Sequence, residues 1–201
     1  MEKRMGFILA LFGLAGLSWA QVQLGVSVGA GGDSFHLAIG SYYNAPAAQI
    51  TVCQQQHIPD EEQPVVFFVA NQVHVAPGVI INLRARGMSW VNIFRYYHLS
   101  PRRVLYVPIH GSVAGTPYAG FYAYYGARGG RRVGLVDADI INMVNLRFAS
   151  EYYHRPPEEI IQMRAGGRNY AYIHDHYGHP GGGPGDRRDD RRDHRRDGDW
   201  H

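Results

Sequence analysis

The sequence predicts a mainly α protein with a small β element, in which duplicated helix-turn-helix-like units follow an N-terminal β-hairpin. Three observations carry this expectation. From about Pro46 to Tyr177 apolar residues recur at spacings of three and four, the mark of helices that bury one face. Residues 68–97 return at 148–177 with 10 of 30 positions identical, where unrelated sequence gives roughly two. Val22, Leu24, Val26 and Val28 alternate strictly, the period of a half-buried strand.

Residues 1–20 read as a secretory signal. Lys3 and Arg4 precede the apolar stretch Met5–Leu17, and Ser18-Trp19-Ala20 ends it with small residues where a signal peptidase cuts. No membrane span is expected after cleavage, because no later apolar run nears the roughly 18 residues that spanning requires. Residues 21–43 then read as a β-hairpin: Phe35, Leu37 and Ile39 resume the period of two after Gly29-Ala30-Gly31-Gly32-Asp33.

Residues 44–177 form the predicted helical repeat body. Its recurring side chains have physical reasons to recur. Pro77 and Pro157 suit a first helical position, where a missing N–H has no partner to lose. Gly87 and Gly167 stand where that helix must stop, since glycine accepts the left-handed conformation of a helix end. Ser89 and Asn169 follow as side-chain caps of the next helix. Trp90 with Ile93, and Tyr170 with Ile173, lie three apart and close each unit's core. A preceding helix is predicted on Val65, Val66, Val69 and Val73, and another on Ile140, Val144, Phe148 and Tyr152, with Asp60 and Asp137 or Asp139 as their caps. A degenerate third copy is expected 31 residues before the first, with Pro46 and Ile50 matching Pro77 and Ile81.

Residues 101–136 interrupt the body as an irregular aromatic and glycine insert. Within it Val104–Ile109 reads as a short edge strand, and Pro117–Gly126 as core or ordered loop in preference to an exposed platform of Tyr118, Phe121, Tyr122, Tyr124 and Tyr125 for a glycan or protein partner. Residues 178–201 read as a disordered tail: glycine and proline give way to six Arg and six Asp between Asp186 and Trp200, with no apolar period.

Composition narrows the chemistry. The single Lys is Lys3, so the processed chain would hold no lysine, which excludes Schiff-base lysines, Walker-type loops and Ser-Lys dyads. Cys53 is the only cysteine; it forms no intramolecular disulfide and reads as a small buried hydrophobe. The processed chain would carry +2, from 18 Arg and 16 acids. That is too dilute for a duplex-binding stripe, so no nucleic acid is expected.

Candidate sites follow from the repeat and from one histidine cluster. Arg84, Arg164, His74 and His154 recur; they would bind an anionic group if they shared a groove, although each also suits the negative end of a helix. His174, His176 and His179 offer imidazoles for a transition metal, against their placement on different helix faces. Gly25-Val26-Ser27-Val28-Gly29 matches a serine-hydrolase string but lies within an alternating strand, not on a strand-to-helix turn. No catalytic residue and no cofactor is assigned.

Arg84-Ala85-Arg86-Gly87-Met88-Ser89-Trp90, Ile58-Pro59-Asp60-Glu61-Glu62, Pro117–Tyr125 and Val144-Asn145-Leu146-Arg147-Phe148 together resemble a group of exported bacterial proteins with repeated R-x-x-G-x-[SN]-[WY] units. The resemblance spans roughly residues 40–175 and implies a helical body but no activity. Gly87–Ile93 is also similar to the turn and second helix of DNA-binding helix-turn-helix modules. The expectation is therefore a periplasmic or secreted, non-enzymatic interaction scaffold whose partner is a protein or envelope component. The alternatives are a DNA-binding protein, if the chain stays inside the cell, and metal binding through the histidine-rich end.

Overall fold

The computed structural model describes residues 32–126 and 134–178, and among these the chain is mainly α with no strand. Ten α-helices follow one another: α1 (Gly32–Tyr43), α2 (Ala47–Gln55), α3 (Gln63–Val73), α4 (Pro77–Ala85), α5 (Trp90–Tyr96), α6 (Pro101–Leu105), α7 (Ala119–Gly126), α8 (Asp137–Tyr153), α9 (Pro157–Ala165) and α10 (Tyr170–Gly178). A 3₁₀ turn, Asp60–Glu62, leads into α3. No helix among the described residues is long and apolar enough to cross a membrane.

The core lies between α3 and α8, which pack on each other. α4 and α9 brace them, α1 lies across α3, α8 and α10, and α6 and α7 rest on α8. Val65, Val66 and Val69 of α3 meet Ile140, Val144 and Phe148 of α8 in one continuous cluster with Ile80, Ile160, Ile93 and Ile173, all buried.

One device ends seven of the helices. Asn44, His57, His74, His98 and His154 are left-handed at φ 52 to 55°, and Gly87 and Gly167 at 84 and 82°. After each, the next backbone N–H returns to the carbonyl five residues back. Examples are Val75 to Ala70 at 3.1 Å, Met88 to Leu83 at 3.2 Å, Arg155 to Ser150 at 3.0 Å and Arg168 to Met163 at 3.1 Å. This Schellman closure satisfies carbonyls that a helix end would orphan. Pro77 and Pro157 then open α4 and α9 at their first residue. Ser89 Oγ accepts from Asn92 N at 3.2 Å and Asn169 Oδ1 from Tyr172 N at 2.8 Å, capping α5 and α10.

The bounds of α2, α4 and α9 coincide at separations of 30 and 80 residues. The register of the earliest stretch is thus 30, not the expected 31. Ile50 takes the place of Ile80, and His57 takes that of Gly87. α3 consequently does double service, closing the first helix-turn-helix and opening the second.

Three sequence expectations need correction. Residues 32–43 are α1, not the second strand of a hairpin; residues 21–31 lie outside the described residues. Phe35, Ala38, Ile39 and Tyr43 are buried while Leu37 is 73% exposed, so the burial period is 3.6, and the alternation of Phe35, Leu37 and Ile39 was coincidental with it. Val104 and Leu105 end the short helix α6, because Pro101 starts a helix at its first position; residues 106–109 are irregular rather than an edge strand. Within the insert, 119–126 is helix α7, seated by buried Tyr118 and Phe121. Gly120 lets α7 lie directly on the Asp139 carboxylate, where a Cβ would collide. The tail beyond Gly178 lies outside the described residues.

Candidate functional site

The 3₁₀ turn is where the two sets of recurring side chains meet, so the site is built outward from it. Pro59 starts the turn, and Glu61 and Glu62 leave it toward different neighbours. The Glu62 carboxylate accepts from Arg84 Nε at 2.6 Å, Arg84 Nη2 at 2.8 Å and Trp90 Nε1 at 2.9 Å. Arg84 Nη1 reaches the Met88 carbonyl at 3.2 Å and Asp137 Oδ2 at 3.3 Å, and the guanidinium stands 5.3 Å from the Trp90 ring centre. Asp137 Oδ1 accepts from Val91 N at 3.0 Å. It thus satisfies an orphan donor of α5 from the start of α8. α8's own start is capped by Asp139, whose Oδ2 accepts from Val136 N at 3.0 Å. The forked grip of Glu62 is the strong, charge-assisted kind, and it holds the Arg84 pKa above its ordinary value.

Eighty residues on, the same frame carries different chemistry. Asn142 stands where Glu62 stands, and Tyr170 where Trp90 stands. Tyr170 Oη donates toward the Asn142 carbonyl at 3.1 Å and Asn142 Oδ1 at 3.2 Å, and meets Tyr118 Oη at 2.8 Å. Burial pushes the Tyr118 phenol up to about 12 and Tyr170 well above its ordinary value, so both remain neutral hydrogen-bonding groups. Arg164 lies 4.3 Å from the Tyr170 ring centre and donates to the Arg168 carbonyl at 2.8 Å, as Arg84 does to Met88. Its ion pair is a single long one, 3.6 Å to Glu61, and its Nε is buried without a hydrogen-bond partner.

Arg84 and Arg164 therefore converge on one turn, each engaged with a carboxylate already present there. His74 and His154 do not join them. They are exposed left-handed residues at the ends of α3 and α8; α3 runs about 16 Å from the turn to His74, and α8, which passes the turn at Asn145, runs about 14 Å further to His154.

The histidine-rich end divides likewise. His174 is fully buried between Phe35 and Phe148, with ring centres 4.7 and 4.6 Å away, and its Nδ1 lies 2.9 Å from Tyr153 Oη. His176 is exposed and stacks on Tyr172 at 6.1 Å, while His179 lies outside the described residues. A helix points residues two apart to different sides, so His174 and His176 do not share a ligand. Among the described residues no group of three metal-ligating side chains occurs. Burial pushes the His174 imidazole down to about 3 and raises the Tyr153 phenol. Neither ionises near neutral pH, which disqualifies the pair as an acid–base couple. Cys53 is buried, and burial pushes its thiol up to about 12, leaving it unreactive.

Surface depressions among the described residues include one at the turn and one at α1. A shallow one of about 350 Å³ lies beside the 3₁₀ turn between Asp60, Glu61, Ile141 and Asn169. A larger groove of about 620 Å³ runs between α1, α8 and α10 and is lined by Ser34, Leu37, Tyr152, Tyr153 and Tyr177. Sequence reasoning missed Glu62, Asn142 and this groove, and placed Tyr118 in the core or an ordered loop without its bond to Tyr170. The paired change of Glu62 with Trp90 into Asn142 with Tyr170 was readable, but a search for identities passes over it.

Comparison with known proteins found no family model, no curated protein and no solved structure that matches the chain.

Proposed function

We propose that the protein is an exported, non-enzymatic interaction scaffold of the cell envelope, with a body of duplicated helix-turn-helix-like units. One observation carries the reading: the recurring arginines, the side chains best suited to hold an anionic substrate, are turned inward onto Glu62, Asp137, Glu61 and the carbonyls of Met88 and Arg168. Export is supported by the Lys3-Arg4, Met5–Leu17, Ser18-Trp19-Ala20 succession.

Two experiments test this. Mass spectrometry of the protein from its native cell should find an N-terminus near Gln21; an intact Met1 in the cytoplasm removes the export claim and restores DNA binding as the leading reading. Screening purified protein against ester, peptide, glycoside and phosphoester substrates should detect no turnover that depends on it. A turnover abolished by one substitution that leaves the helical signal unchanged removes the non-enzymatic claim.

A further inference from the structure

The groove between α1, α8 and α10 has an apolar character that the helical body leaves open. Leu37 projects from α1 at 73% exposure beside the half-buried rings of Tyr152, Tyr153 and Tyr177. Ser34 Oγ, at its lip, is buried without a hydrogen-bond partner. An aromatic-walled groove around so exposed a leucine is a surface that gains by being covered.

We propose that its occupant is the chain's own segment 22–28, seated in the groove of the same molecule. Those residues lie outside the described ones, and three points on either side of that boundary favour them. The described chain begins at Gly32, two residues before Ser34, so the segment is tethered at the groove's mouth. Val28 is six residues from Ser34, a reach of up to about 20 Å. A tether that short sets an effective concentration in the millimolar range, which a free partner must exceed. Gly29 and Gly31 allow the chain to reverse there, and Val22, Leu24, Val26 and Val28 offer an apolar edge of the length of a short strand. The other end of the chain also leaves beside the groove, at Gly178, but its glycines, prolines and Arg–Asp blocks carry no apolar face to lay against tyrosines. The inference goes beyond the scaffold reading and stands without it, because it concerns contacts within one chain.

The test places a photo-reactive benzoylphenylalanine at position 37 of the full chain, where exposure lets the new side chain sit without disturbing the core. Copies grown in light and heavy nitrogen are mixed before irradiation. The expected product joins position 37 to a residue within 21–28, with light paired to light and heavy to heavy. Introducing Leu24→Asp and Val26→Asp together should lower its yield roughly tenfold or more, since two buried apolar side chains are lost, while circular dichroism stays unchanged. Mixed-isotope products would assign the groove to a second copy and overturn the proposal. So would products with residues after Gly178, a yield indifferent to the two aspartates, or no protein product at all. None of these outcomes bears on the mature N-terminus or on turnover, so the two readings fail separately.

Discussion

Around Arg84 a carboxylate and an indole close a charged knot; in the same frame of helices eighty residues on, an amide and a phenol take those places, and Arg164 keeps only a long ion pair with Glu61. Glu62 satisfies both edges of its arginine and the Trp90 N–H together, whereas Asn142 serves Tyr170 and leaves Arg164 Nε without a hydrogen bond. What the two knots keep in common is the arginine laid on a ring and bonded to the carbonyl four residues on. The frame thus needs an arginine to tie the helix-ending turn, and the partner of its free edge is negotiable. Recurrence of Arg84 and Arg164 follows from that need without a ligand.

The difference is open to attack, most strongly at Glu62. Glu62→Gln removes the nearer of the two charges opposing Arg84, leaving Asp137 at 3.3 Å, and should cost about 3 kcal/mol, read from the urea midpoint. Asn142→Ala removes neutral hydrogen bonds only and should cost about 1–2 kcal/mol. A larger loss at Asn142 than at Glu62 would mean that the charged cluster is not the stronger of the two.

The second test exchanges one region's residue for the other's. His174 stands where Phe94 stands eighty residues earlier, and both are buried. Burial depresses the His174 pKa from its ordinary 6.5 to about 3, so below pH 6.5 the unfolded chain binds a proton that the folded chain refuses. Stability from this group is complete above about pH 6.5 and falls by about 1.4 kcal/mol per pH unit as the medium is acidified toward pH 3. His174→Phe should therefore shrink the stability lost between about pH 7 and pH 5 by about 2 kcal/mol. An undiminished acid loss would mean that the imidazole is protonated in place.

The smallest expected effect is one on which the regions should agree. His74→Gly and His154→Gly relieve a left-handed residue of its Cβ at a cost in unfolded-chain entropy. Each should raise stability by about 1 kcal/mol or less, equally at both ends. Loss of stability at one of them only would point to a side-chain role there.

These regions also show what a sequence can and cannot disclose. The bounds of α4, α5, α9 and α10 were legible because each is set locally: Pro77 and Pro157 start, Gly87 and Gly167 stop, Ser89 and Asn169 restart. The histidine stops at 57, 74, 98 and 154 were less so, since a non-glycine residue takes the left-handed region only uncommonly and histidine by itself does not mark a stop. α1 was misread because Phe35, Leu37 and Ile39 fit a period of two as well as Phe35, Ala38 and Ile39 fit 3.6; only packing against α10 decides between them. Glu62 and Asn142 are harder to find for a different reason. They are joined to their arginines' surroundings across 22 and 28 positions of chain, and non-local hydrogen bonds leave no period.

The recurring arginines serve the fold, and serve it unequally. Urea unfolding of Arg84→Met beside Arg164→Met separates the two, since the change keeps most of the stem and removes the guanidinium. Arg84→Met strands Glu62 and should cost about 3 kcal/mol or more; Arg164→Met loses one carbonyl bond, a ring contact and a long ion pair, and should cost about 1–2 kcal/mol. Equal losses, or a wild-type midpoint for Arg84→Met, would contradict that inequality.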